Sequence, residues 1–157
     1  MQKMMYSIQA DVMLNMTKPH MSRVIWAKQP KNEKSDVWFI IDGMTAYRVF
    51  RSDLAISEDW LLKNCGAPAN IDGLLSGYHE RASEYIPLQK TGYKLIDGGK
   101  RQLAMYSCSK FTSYVNEKLY SRYFKNDNFT FWAKDEKSPI MVMFYDDVVG
   151  IVIPVRL

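Results

Sequence analysis

Toward the end of the chain, hydrophobic positions gather into three runs, Phe129 to Lys134, Ile140 to Tyr145 and Val148 to Val155. Each is rich in aromatic and β-branched residues. Charged or proline-bearing stretches at Asp135 to Pro139 and at Asp146-Asp147 separate them, so the pattern predicts three strands joined by tight turns. The same pattern occurs early in the chain. Ile25-Trp26-Ala27-Lys28 is followed by a polar turn ending Lys34-Ser35, then by VWFIIDG and TAYRVFR, much as Phe131-Trp132-Ala133-Lys134 is followed by Lys137-Ser138, IMVMFYDD and GIVIPVR.

The echo extends upstream. Tyr6 to Ala10 and Leu103 to Ser107 are short strand-like runs, and each precedes a stretch with helical character. A unit of strand, helix, strand, strand, strand used twice accounts for the whole pattern. The predicted fold class is therefore α+β, a single domain of two βαβββ repeats over about 4–51 and 101–157, with a helix-containing connector at about 52–100. Trp26 and Trp132, as matching members of two repeats, are expected in the core, although paired tryptophans can also stack bases.

In the first copy, Met4 to Gln9 is the first strand and Asp11 to Lys18 a short helix, interrupted by Pro19. Val37 to Ile41 is nearly all apolar, as in a strand covered on both faces. In the connector, Ser57 followed by Glu58 and Asp59 marks the start of a helix over Trp60 to Asn64, and Asn70 can cap a second one through Ser83. Tyr93 to Ile96 and Lys100 to Tyr106 read as a hairpin closed at Asp97-Gly98-Gly99. The helix of the second copy is expected over Ser109 to Phe124, where Phe111, Val115, Leu119 and Tyr123 form an apolar stripe. Beside that stripe run Lys110, Tyr114, Lys118 and Arg122, either a solvated basic flank or a face that meets phosphates.

Composition narrows the function classes. The 157 residues are 47% hydrophobic and 24% charged, which fits a folded domain. No apolar run is long enough to span a membrane and the first residues lack a signal-peptide pattern, so no membrane role and a cytoplasmic location are expected. Cys65 and Cys108 stand apart and are expected as reduced thiols. The net charge of +4 is concentrated early, with eight Lys and Arg against four Asp and Glu in residues 1–52, a balance that permits nucleic-acid contact.

Catalytic signatures are lacking. His79-Glu80 has no second histidine four residues on, His20 stands alone, and no phosphate-binding glycine loop or nucleophile elbow is present. Asp135-Glu136-Lys137 and Asp146-Asp147 occupy turns, where carboxylates are usually solvated rather than poised on a shared metal. No enzyme, metal or cofactor is expected. A hydrolase missed by this reading would depend on Asp42, Asp147 or His79.

Ser138-Pro139 before the penultimate strand, the closing Ile153-Pro154-Val155-Arg156-Leu157, and Ile41-Asp42-Gly43 in the first copy together resemble the sliding clamps that tether replicative polymerases. The end of the chain looks like the end of the bacterial clamp, the β subunit of DNA polymerase III. The resemblance implies that Ile151, Ile153, Pro154, Val155 and Arg156 form one wall of a groove for short peptides of partner proteins. It also implies that the helices face double-stranded DNA, which gives Lys110, Tyr114, Lys118 and Arg122 a phosphate-facing role, with Lys18 and Arg23 of the first copy as further candidates. Such a family has three domains per chain and draws on a neighbouring domain for the groove, whereas this chain has room for one. The expected function is therefore non-enzymatic binding of DNA or replication proteins, as a homo-oligomeric clamp or as a clamp mimic. The alternative is a small interaction or inhibitor protein of a mobile element that uses the fold as a scaffold.

Overall fold

The computed structural model describes residues 25–28, 37–42, 45–64, 71–99, 101–116 and 128–157. They form an α+β arrangement in which every recorded strand pair is antiparallel. The chain divides into two compact units, Met1–His79 and Glu80–Leu157.

The first unit carries a meander of β1 (Ile25–Lys28), β2 (Val37–Asp42) and β3 (Thr45–Phe50). Trp26 lies opposite Ile41, and Asp42 opposite Thr45, which leaves a two-residue connection between β2 and β3. Phe39 and Ile40, in an unbroken apolar run, are buried, and so are Ala46, Tyr47 and Val49 around the half-exposed Arg48. Two helices follow, α1 (Glu58–Asn64) and α2 (Ile71–Glu80). The Ser57 hydroxyl accepts the Trp60 N–H at 3.2 Å, so the expected cap does start α1. Leu61 from α1 packs with Trp38 and Ile56, flanked by Leu54 and Trp60. Glu58 ties this corner together, since its carboxylate accepts the Trp38 indole N–H at 2.9 Å and pairs with Arg51.

In the second unit the strands lie in the order β9-β8-β7-β4-β5-β6. These are β4 (Ile86–Asp97), β5 (Arg101–Ser107), β6 (Thr112–Asn116), β7 (Thr130–Ala133), β8 (Ile140–Phe144) and β9 (Asp147–Val152). Strand β4 serves two neighbours in turn, pairing with β7 at Ile86–Leu88 and with β5 from Gln89 to Asp97. The change falls between Leu88 and Gln89, and an irregularity follows within the β4–β5 ladder between Lys90 and Lys94, where the Thr91 hydroxyl donates to the Met105 carbonyl and accepts the Tyr93 N–H. The β4–β5 hairpin closes at the expected place, where Gly98 and Gly99 have φ of 57° and 72°, angles that glycine adopts at little cost. Phe131, Ala133, Leu103, Tyr106, Val115 and the run Ile140 to Met143 make the core, with the Tyr106 and Phe131 rings 5.1 Å apart.

A three-stranded antiparallel meander is therefore present in each unit. The last two strands of each meander meet across two residues, Asp42 opposite Thr45 and Phe144 opposite Asp147, whereas the tryptophans differ in register: Trp26 faces Ile41, one residue before Asp42, and Trp132 faces Met141, three before Phe144. Two parts of the sequence reading meet a different outcome. Residues 112–116 form strand β6 on β5, not part of a helix over Ser109 to Phe124, and 117–127 lie outside the described residues. The first strand and helix of the first copy also lie outside them. Trp132 is only half-buried, on the face opposite Phe131 and Ala133, with its indole N–H donating to the Thr130 hydroxyl at 3.1 Å.

Candidate functional site

Strand β6 forms because Thr112, Ser113, Tyr114 and Val115 are β-branched, aromatic or small, and because they alternate. Ser113 and Val115 are buried, whereas Thr112, Tyr114 and Asn116 are half-exposed. This strand is one end of the second unit's strand order and β9 is the other. Beyond β9 the chain runs on through Pro154, and the Val155 N–H donates to the Tyr114 carbonyl at 2.7 Å. That single backbone bond connects the continuation of β9 to β6.

Between them opens a pocket of about 140 Å³. Thr112 and Tyr114 line it from β6, Glu136 and Lys137 from the β7–β8 loop, and Val155, Arg156 and Leu157 from the C-terminal strip. The loop is held by Asp135, whose Oδ1 accepts the N–H groups of Lys137 and Ser138 at 2.8 Å each. The Ser138 hydroxyl, and after it these backbone bonds, hold the Asp135 carboxyl below the usual carboxylate range. The Ser113 hydroxyl also reaches the Glu136 carbonyl at 3.5 Å. Lys137 pairs with Glu136 at 3.5 Å, so two cationic side chains and one acidic side chain surround the opening. A pocket of this size holds one large side chain and falls below the roughly 300–1,000 Å³ usual for small-molecule sites.

Members of both predicted sets meet here. Tyr114, expected on a DNA-facing helix, sits beside Val155 and Arg156, expected on a peptide groove. Ile151 and Pro154 are buried and Ile153 is half-buried, so they support the strip rather than present it. Lys110 is exposed in the bend before β6. Since 112–116 are a strand, the spacing of Lys110 and Tyr114 does not form a helical stripe; Lys118, Arg122, Lys18 and Arg23 lie outside the described residues.

Sequence reasoning missed Thr112, Glu136 and Lys137 as pocket residues, and it missed Tyr145. The pair Phe144 and Asp147 closes a two-residue turn of Tyr145-Asp146. Tyr145 has φ of 54° and leaves 84% of its surface in solvent, while its ring meets Phe144 edge-on at 4.7 Å. Left-handed backbone in a residue with a Cβ costs about 1–2 kcal/mol. The strand pairings place Tyr145 directly after the last paired residue of β8, as Gly43 follows Asp42 in the first unit, but the sequence echo aligned on Lys-Ser sets Tyr145 beside Asp42, so no sequence signal pointed to it.

Other candidates bring no chemistry together. Among the described residues no group of three His, Cys, Asp or Glu side chains could hold a metal ion. His79 is exposed at the end of α2 beside the Tyr78 ring, and Cys108 is a free, half-buried thiol whose Sγ approaches the Phe111 carbonyl at 3.7 Å. Among the described residues no helix is long and apolar enough to cross a membrane. Compared with known proteins, the chain matches no family model, no curated protein and no solved structure.

Proposed function

We propose that this chain is a non-enzymatic, sliding-clamp-like binding protein that works by taking a segment of another protein into the pocket between β6 and the C-terminal strip. The observation that carries the reading is the meeting of Val155 and Arg156 with Tyr114 around a pocket of one-side-chain size. Half-exposed β6 beside that pocket suits an extended segment, which contributes backbone bonds along a strand and places single side chains in pockets. The mixed charges of Glu136, Lys137 and Arg156 suit a protein segment better than a polyanionic backbone, which draws several cations and no carboxylate. Protein partners therefore stand ahead of double-stranded DNA in this reading. Either an oligomeric clamp or a mimic that competes for clamp partners would use the site in this way.

The test is selection from a random peptide library displayed against the whole protein, followed by binding to the Tyr114→Ala and Arg156→Glu variants. Enriched peptides that lose affinity for both variants are expected. Peptides that bind both variants as well as the parent, or tight salt-sensitive binding of a plain DNA duplex with no peptide enriched, would contradict the reading.

A further inference from the structure

The β8–β9 turn and the pocket carry opposite features on the same unit. The turn presents Tyr145, 84% exposed and held in a left-handed backbone, followed by the exposed carboxylate of Asp146. The pocket offers room for one large side chain, a tyrosine ring at its wall, and the cationic side chains Lys137 and Arg156 against one acidic side chain, Glu136. They cannot meet within one chain. Strand β8 runs from Ile140, near the Glu136-Lys137 loop, to Phe144 at the turn, which at about 3.3 Å per residue separates them by roughly 13 Å. The C-terminal strip continues from the end of β9 that lies away from the turn.

We infer that the Tyr145-Asp146 turn of one copy seats in the Thr112, Tyr114, Lys137 and Arg156 pocket of a second copy. This rests on the reading that the pocket receives a protein segment, and it names that segment. Tyr145 fills the cavity beside Tyr114, and Asp146 pairs with Arg156. A second copy fits better than a nucleic acid or an anionic lipid surface, because the protruding turn is acidic. The contact uses two different surfaces of each copy, so it is heterologous and joins copies head to tail, giving a ring where the rotation closes and a filament where it does not. It also gives a reason for a tyrosine at a turn position where the first copy has a glycine, since strained backbone persists where it serves a contact.

The experiment is the mass in solution by light scattering behind a sizing column, at low and moderate salt, with a melting curve for each variant. The full chain is expected above its monomer mass of 18.3 kDa, with the excess shrinking as salt rises. Tyr145→Gly is expected to fall to monomer mass while melting at the same or a higher temperature, which separates lost contact from lost folding. Asp146→Lys and Arg156→Glu each weaken the assembly, and the two reversals in one chain restore it. A monomeric parent protein, or variants that keep the parent's mass, would overturn the assignment. Random-peptide selection on Tyr145→Gly separates the two levels: pocket-binding peptides enriched from a monomeric protein overturn only the second-copy assignment, whereas no enrichment from a monomer overturns the pocket reading as well.

Discussion

At the scale of single residues, the clearest balance is at Glu58. Its carboxylate lies below the usual range, chiefly because Arg51 donates to it and secondarily because the Trp38 indole does. A group whose pKa is depressed on folding adds stability that is present above its unfolded value and is lost as pH falls through the folded one. Glu58→Gln is therefore expected to melt lower than the parent near neutral pH, with the gap closing in acid. Melting curves taken from neutral pH downward check this, and a gap that stays constant would count against the ion pair. Glu84, lowered chiefly by the bond from Lys134, obeys the same sign. Among apolar residues, Phe131 is buried against the Tyr106 ring, so Phe131→Ala should cost about 3–5 kcal/mol in a denaturant titration.

The element that decides the site is β6. If the Val155 N–H is bonded to the Tyr114 carbonyl, that amide should exchange with solvent more slowly than those of Arg156 and Leu157 after it. Hydrogen exchange read by NMR checks it, and equal rates along the strip would mean that the strip is not fastened to β6. This element was also the hardest to read. A spacing of four, as in Phe111, Val115, Leu119 and Tyr123, is an even number, so it keeps residues on one face of a strand as well as near one face of a helix. Thr112, Ser113 and Val115, poor helix formers, then favour the strand. The two meanders were legible because runs of aromatic and β-branched residues and the turn chemistry between them are local, as were the Ser57 cap and the Gly98-Gly99 hairpin. The pocket was only half legible. Val155 and Arg156 were found through a resemblance, whereas Glu136 and Lys137 read as an ordinary polar turn until the chain beyond β9 brought Arg156 beside them. Contacts made between distant segments leave no trace in a local pattern.

At the scale of the whole molecule, the proposed role is to hold a segment of another protein. The pocket and the Tyr145 turn both lie in the second unit. Charge at the pocket should then govern affinity. Arg156→Glu is expected to weaken a bound peptide at least about tenfold, equivalent to about 1.4 kcal/mol. Lys90→Glu, on the exposed part of β4, should leave that affinity unchanged. Isothermal titration at one fixed salt concentration compares the two, and equal losses would point to a diffuse charge effect in place of a defined site.

The most direct measurement is an NMR titration of the monomeric Tyr145→Gly protein with the tightest peptide from the random library, followed amide by amide. The account predicts that the largest shifts cluster at Thr112, Tyr114, Lys137 and Arg156, with little change at the β4–β5 hairpin or around Trp38. Shifts centred on the hairpin residues Tyr93 to Ile96, with Tyr114 and Arg156 unmoved, would contradict it.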